Sequence, residues 1–409
     1  MNTTISRRDF LKKAGLSAGA AGLALGGSWP VSGQSAINVV AILPLTGTFA
    51  GPGNEALRGV QLSLDGAQAG GRPINLIVED TGTTPAQGLE KAQKVLADDT
   101  VDFVIGPISS AVTAAIRDRV LQSRAIWFIP TTGAGASPTV PGLCSDRVFA
   151  GVNTFSLSNA FAPWVKDNVA DEAYLFFSNY VFGQSTAEQF TQGFEGAGGT
   201  IVGQSAPPLG TNDFAPFLTE VANAGPRALF VFIPGGPAID FVKQFSEFGL
   251  NDSIKLTGLG SSFINLFLPA MGDAAVGAIS SLHYGPEQNL PANVAFKDAY
   301  AAAYGRPTGP SFYAMMGFDF GNTVIGSANA TGGDTSDGAA LSKVIETLDI
   351  NSPRGPLSYS LQTHDPIQNI YIRETRKVSG KTANIVVDVL PNVVVPQEVG
   401  AGGICDLSA

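Results

Sequence analysis

From Ile37 onward, short apolar runs alternate with longer segments in which apolar residues recur every three to four positions. INVVAIL (37–43) reads as a buried strand. After the loop LTGTFAGPG, the spacing of apolar residues predicts a helix over 54–69 that stops at Gly70-Gly71. INLIVED (74–80) is then a strand, 85–98 a helix opened by Pro85, FVIG (103–106) a strand, 111–123 a helix and AIWFIP (125–130) a strand. A second series has strands at 173–178, 199–208, 228–234, 255–260 and 278–284, with helices at 185–197, 214–225 and 238–250. Helices follow at 291–304, 311–328 and 337–349, and a hairpin over 368–390 turns near Ser379-Gly380. Strands alternating with helices of this length make right-handed βαβ units, so the expected class is α/β with two doubly wound parallel-sheet lobes. With the second sheet already supplied, helices 291–349 are free to return to the first lobe.

At 409 residues the chain is long enough for two cores, and 44% hydrophobic with 14% charged residues is a globular composition. The net charge of −10 argues against a nucleic-acid partner or an anionic lipid surface. No segment approaches the ~18 uninterrupted apolar residues of a membrane span.

The N-terminus carries its own pattern. Ser6-Arg7-Arg8-Asp9-Phe10-Leu11-Lys12 precedes an uncharged, small-residue stretch, Ala14–Gly27. This resembles the twin-arginine (Tat) export signal at each specified position, S-R-R-x-F-L-K. Val31-Ser32-Gly33 offers small residues for cleavage, so residues 1–33 are expected to be removed near Gly33. That takes away four basic residues and one acidic one and moves the net charge from −10 to −13. The two cysteines, Cys144 and Cys405, both lie in glycine-bearing loop sequence. In an oxidising compartment a disulfide between them and two free thiols are both compatible readings.

Catalytic and metal-binding patterns are missing. His283 and His364 are the only histidines and neither has a second ligand at metal spacing. G-x-S-x-G occurs only at Gly15–Gly19, inside the export signal. Gly51-Pro52-Gly53 with Ala56 is separated from its strand by a loop, unlike a dinucleotide fingerprint, and Ser379-Gly380-Lys381-Thr382 fits a hairpin turn better than a phosphate loop. No cofactor is expected. What recurs instead is a polar loop at strand ends: LTGTFAGPG, GPISS and TTGAG in the first series, and NYVFG, PGG and GSS in the second. In open α/β sheets ligands sit at the carboxyl ends of strands, where free helix N–H groups and hydroxyls bind anions such as carboxylates.

These loops, with FVKQFSEFGL, SPRGPLSYS and QNIYIR in their order and spacing, resemble the periplasmic solute-binding proteins of branched-chain amino-acid-type ABC transporters, over about Ile37 to Leu390. The resemblance implies two lobes joined by three hinge crossings, a type I periplasmic binding fold. Residues 34–152 with 286–360 would form lobe one, and 153–285 with 361–409 lobe two. It implies a periplasmic, monomeric receptor that is not an enzyme, with a small-molecule ligand and an ABC permease and its ATPases as partners. The ligand carboxylate would be held by Ser110, Thr131 and Gly133, with Ser109 and Thr132 one residue away. Tyr180, Phe182, Gly235, Ser261 and Tyr284 would come from the second lobe and its crossing. Two departures stand out. Near 260, where amino-acid binders of the family place an acidic residue for the ammonium group, this chain reads Gly258-Leu259-Gly260-Ser261-Ser262, and Pro52 stands where many carry a tyrosine. A buried ammonium without a carboxylate is costly, so an aromatic or aliphatic acid is expected over an α-amino acid. The rival readings are a ligand sensor of the same fold and an exported serine hydrolase, the latter requiring a histidine within reach of Ser110.

Overall fold

The computed structural model describes residues 35–131, 145–306 and 308–396. The export-signal-like segment, Thr132, Gly133, Cys144 and Cys405 lie outside the described residues. Two sheets organise the chain. The first has the strand order β2-β3-β1-β4-β5-β6, from Gln68–Ala69 (β2), Arg72–Asp80 (β3), Ile37–Leu43 (β1), Phe103–Ile105 (β4), Ile126–Ile129 (β5) and Val148–Ala150 (β6). All its pairings are parallel except the two-residue β2, and β1 sits between β3 and β4 in the register Ile37↔Ile74 and Val39↔Phe103.

Because side chains alternate across a strand, this sheet divides its apolar residues between two layers. Val40, Ile42, Val104, Trp127 and Ile129 pack with Ala92 of helix α2 (Pro85–Val95) and with Val112 and Ile116 of α3 (Ser110–Leu121). Val39, Ala41, Phe103 and Phe128 face the other way, toward α1 (Ala50–Leu64) and a helix that arrives from far along the chain, Phe312–Ala330.

The second sheet follows the order β12-β13-β11-β10-β9-β7-β8, with β14 added on β13. Its parallel part is Glu172–Phe177 (β7), Thr200–Ser205 (β8), Ala228–Phe232 (β9), Lys255–Leu259 (β10) and Ile279–Leu282 (β11). The antiparallel strands Leu357–Tyr359 (β12), Pro366–Val378 (β13) and Lys381–Val393 (β14) complete it. Helices α4 (Ala162–Asn168), α5 (Val181–Gly196), α6 (Ala215–Ala224), α7 (Pro237–Glu247) and the single turn α8 (Leu268–Met271) cover this lobe. Its core is phenylalanine-rich: Phe176 stacks with Phe241 at 4.7 Å and Phe190 with Phe230 at 3.8 Å between ring centres.

Helices α9 (Pro291–Tyr304), α10 (Phe312–Ala330) and α11 (Gly338–Glu346) return to the first lobe. Helix α10 lies against α1 so closely that a Cβ on Gly59 would run into the Ala314 carbonyl oxygen, and one on Gly317 into that of Ala56. By its pairing with β13, β12 already belongs to the second sheet, ahead of the boundary expected at 360.

Two helices differ from the periodicity reading. The 54–69 segment is helical over Ala50–Leu64, while Gln68-Ala69 forms a strand that doubles back through Gly70 and Gly71, both at positive φ. The glycine pair makes a hairpin rather than a helix stop. Helix α5 starts at Val181, ahead of the expected 185, because Tyr180 and Val181 enter its first turn. The short β6 and β12, each of three residues, fall below the length at which apolar periodicity is readable.

Candidate functional site

The loops at the strand ends are held by their own hydrogen bonds. After β1, Asp80 anchors the turn: its Oδ1 accepts from Leu45 N (2.8 Å) and Gly82 N (2.9 Å), and its Oδ2 from Thr46 Oγ1 (2.7 Å). Burial would raise the Asp80 pKa, but the hydrogen bonds from Gly82, Thr46 and Leu45 outweigh it and hold the carboxyl below its usual range. This fixes Phe49 at the start of α1. After β4, the Gly106 carbonyl accepts from Trp127 Nε1 at 2.6 Å. Ser109 then takes the N-cap position of α3 in an extended conformation. The first main-chain bond there is Thr113 N–H to Ser109 C=O at 2.9 Å, which leaves the N–H groups of the preceding turn without helix partners. Ser110 opens this helix, 1% exposed, and its hydroxyl has no partner among the described residues. Thr131, at the end of β5, donates its hydroxyl to Ile108 C=O at 2.7 Å and ties the two loops together.

The opposite wall comes from the second lobe. Tyr180 caps α5 and Phe182 lies in its first turn; both rings pack on Phe232, at 6.2 and 5.2 Å between centres. The turn Gly260–Phe263 after β10 carries two serines with different fates. Ser262 Oγ accepts from Ile233 N and donates to Ile233 O, whereas Ser261 Oγ, also buried, has no partner among the described residues. Helix α10 adds Phe312 and Tyr313, and the first crossing adds Val152 and Leu157.

Together these residues enclose a cavity between the lobes, lined by six aromatic rings (Phe49, Tyr180, Phe182, Phe232, Phe312 and Tyr313) together with Ile108, Thr131, Val152, Leu157, Pro234 and Ser261. None of these is charged. The walls are almost in contact. Phe49 and Tyr180 meet across the lobes at 6.3 Å, Gly235 backs onto Thr48, and about 20 Å³ of open volume remains, room for roughly one water. Burial first, and the nearby Tyr313 second, push the Tyr180 phenol well above its usual range, so it stays a neutral hydroxyl at neutral pH.

Of the residues named from the sequence, Thr131, Tyr180, Phe182 and Ser261 line this cavity. Ser109 and Ser110 follow Ile108 in the chain and are not among the lining residues, and Gly235 forms an interlobe contact instead of a lining surface. Tyr284 is elsewhere: its hydroxyl donates to Asn293 Oδ1 at 2.8 Å and its ring packs edge-on to Phe296. The sequence reading missed Phe49, Phe232, Phe312 and Tyr313. Phe49 was legible in LTGTFAGPG, but the α10 pair is brought in only by the return of the chain. His283 is fully buried with both ring nitrogens unpartnered among the described residues, as is Ser110 Oγ, so the two form no hydrogen-bonded pair.

Two α/β lobes with polar strand-end loops facing each other across a closing cleft define a solute-binding protein. Residues 36–381 match the periplasmic binding protein family, and the chain belongs to it, with the type I fold of the branched-chain amino-acid transporter branch. It is 27% identical over 355 residues to Leu/Ile/Val-binding protein homolog 6 of Brucella melitensis, covering 85% of this chain and 89% of that one. Among solved structures, it is similar to a solute-binding protein of an ABC transporter from Rhodopseudomonas palustris BisB5 in complex with 3,4-dihydroxybenzoic acid, at 30% identity and TM-score 0.82, covering 88% and 99% of the two chains. A second R. palustris solute-binding protein, in complex with benzoate, is 27% identical with TM-score 0.78, covering 87% and 98%. No helix among the described residues is long and apolar enough to cross a membrane.

Proposed function

We propose that this chain is a monomeric periplasmic receptor that closes on a small aromatic carboxylate and presents it to an ABC importer, without catalysing a reaction on it. One observation carries the reading: a cleft walled by six aromatic rings, with no charged lining residue among those described, while the buried Ser110 hydroxyl, two residues after the lining Ile108, has no partner among the described residues. Unpaired N–H groups and the positive end of α3 suit a carboxylate, and the rings suit a flat apolar body. An α-ammonium group in the same cleft would lose its hydration and meet no carboxylate, at a cost of several kcal/mol. The benzoate-type ligands of two similar solute-binding proteins agree with this preference. The hydrolase reading lacks support, since Ser110 Oγ meets no base among the described residues. The Arg7-Arg8 motif supports export by the twin-arginine route, with cleavage near Gly33.

The direct test is titration calorimetry and thermal shift of the chain from Gln34 onward with benzoate, 4-hydroxybenzoate, 3,4-dihydroxybenzoate and leucine. The aromatic acids are expected to raise the melting temperature in proportion to RT ln(1 + [L]/Kd). Leucine binding more tightly than all three acids would overturn the ligand assignment. For export, the double substitution Arg7→Lys/Arg8→Lys should leave the precursor in the cytoplasm, and normal processing of that variant would reject the route.

A further inference from the structure

A second cavity lies outside the cleft. It has about 350 Å³ of open volume and lies behind the hinge, between the second crossing (Glu287, Gln288, Asn289 and Leu290) and the terminal hairpin (Tyr371 of β13, Ile385 and Val386 of β14). Three of its polar side-chain atoms lack partners among the described residues. Glu287 Oε1 and both amide atoms of Gln288 are buried with no hydrogen-bond partner among the described residues, and Gln288 is only 9% exposed. Its apolar groups, Leu290, Ile385 and Val386, face the same space.

A buried carboxylate oxygen and a buried amide side by side, all three atoms without partners among the described residues, are an expensive arrangement for a protein that gains nothing from it. Burial raises the Glu287 pKa, while the Arg373 charge, a hydrogen bond from its own main-chain N–H and the Lys297 charge oppose this. A donor-rich cation would relieve both groups together. Its charge would meet Glu287, one N–H would reach the Gln288 carbonyl, and an acceptor on the same molecule would take the Gln288 NH₂. A short alkyl group would cover the valine, leucine and isoleucine wall.

We infer that this cavity is a second ligand site, for a small organic cation that carries a hydrogen-bond acceptor and a short apolar group, of the amino-amide class. The site touches two of the three crossings. Leu290 follows the second, and Tyr371 donates its hydroxyl to Arg354 C=O in the third, at 2.7 Å. Gly355 packs on the same wall: a Cβ there would come within 3.0 Å of Tyr371 Oη and 3.3 Å of Leu290 Cδ1. An occupant therefore rests on segments that connect the lobes.

The probe is leucinamide, with neutral N-acetyl-leucinamide as its uncharged counterpart, titrated calorimetrically into the full mature chain. Leucinamide is expected to bind one to one, at least tenfold more tightly than N-acetyl-leucinamide. Glu287→Gln should remove that tenfold preference, and Gln288→Leu should abolish binding. Both variants should keep the wild-type melting temperature within a few degrees, and if Gln288→Leu does not fold, Glu287→Gln alone decides. No binding of leucinamide up to 20 mM, meaning a cavity filled by water only, would overturn the inference. So would binding that is unchanged in the Glu287 variant. None of these readouts depends on the cleft ligand, so this inference and the aromatic-acid assignment fail separately.

Discussion

Arg354 and Asp319 form an ion pair inside the protein, Nη2 to Oδ2 at 2.9 Å, with neither side chain more than 2% exposed. Arg354 belongs to the third crossing and Asp319 to α10, and the guanidinium also donates from Nη1 to Gly151 C=O (2.9 Å) at the first crossing and to Gln368 Oε1 (2.7 Å) on β13. Ser352 adds a hydrogen bond to the same carboxylate oxygen at 2.7 Å. One side chain thus fastens two crossings to a helix of the first lobe and a strand of the second. Removing it leaves a buried carboxylate alone, which costs about 3–5 kcal/mol, while replacing both partners by apolar groups is often close to neutral. Arg354→Met is therefore expected to lower stability by that amount in urea denaturation, and Arg354→Met/Asp319→Leu to recover most of it. A double variant no more stable than the single one would show that the other bonds of Arg354 dominate.

Asp365 sets a pH dependence at the same hinge. Its Oδ1 accepts from Asn153 Nδ2 at 2.8 Å, its Oδ2 has no partner among the described residues, and burial raises its pKa from 3.8 to about 6 against the opposing bonds from Asn153 and Thr363. With the folded value above the unfolded one, the native state binds the proton more tightly. The stabilisation this brings is complete below about pH 4 and is lost as pH rises through 6, an effect on the order of 2–3 kcal/mol. Asp365→Asn should flatten the stability profile between pH 4 and 6 and be at least as stable as wild type at pH 7. A steeper profile in the variant would refute the assignment to this carboxyl.

The contact of α1 with α10 tests how the returning helix is seated. Ala is the better helix former by about 1 kcal/mol, so propensity alone makes Gly59→Ala stabilising. The new methyl, however, would occupy the place of the Ala314 carbonyl oxygen, and forcing the helices apart costs about 1–3 kcal/mol. A net loss of stability is expected, read as a lower denaturation midpoint at unchanged slope. A gain would mean that the helices separate freely.

Much of this architecture was readable before the fold was known, because the signals are local. INVVAIL, FVIG and AIWFIP are strands buried on both faces and appear as unbroken apolar runs, and α9 at Pro291–Tyr304 carries both its start and stop residues, Pro291 and Gly305. The site was half readable for the same reason. Thr131, Tyr180 and Ser261 sit at the ends of recognisable strands, where position in the sheet sets their direction. Phe312 and Tyr313 follow no strand end and reach the cleft only because α10 crosses back to pack on α1, a long-range event with no local signature. Tyr284 shows the converse: a tyrosine at a strand end beside a crossing, whose hydroxyl is taken by Asn293 nine residues on.

Ser261 and Ser262 separate ligand recognition from folding in adjacent residues. Ser262 Oγ satisfies Ile233 N and O inside the lobe, so Ser262→Ala strands a buried N–H and should cost about 1–3 kcal/mol of stability. Ser261 Oγ faces the cavity with no partner among the described residues, so Ser261→Ala should leave the melting temperature unchanged. Its loss should appear in binding, as a drop in affinity for 4-hydroxybenzoate with little change for benzoate, which offers no ring hydroxyl. Equal weakening of both ligands would place Ser261 at the carboxylate instead.

Ser110 distinguishes a helix start from a binding group. As a helix-start residue its hydroxyl would be expected to bond to the backbone of its own turn, yet it has no such partner among the described residues although it is buried. The main-chain N–H groups beside it are those that α3 leaves unpaired, and the helix dipole adds positive potential at the same point. A carboxylate there would accept from the hydroxyl and from the main chain together. Ser110→Ala is expected to weaken aromatic-acid binding by about 1–3 kcal/mol, the worth of a hydrogen bond to a charged group, with no loss in urea stability because its hydroxyl makes no bond among the described residues. The corresponding loss for Thr131→Val should be divided, since Thr131 also donates to Ile108 C=O and so holds the loop that presents the helix. Unchanged affinity in Ser110→Ala, with a loss only in Thr131→Val, would move the carboxylate away from α3 and leave Ser110 a plain first residue of a helix.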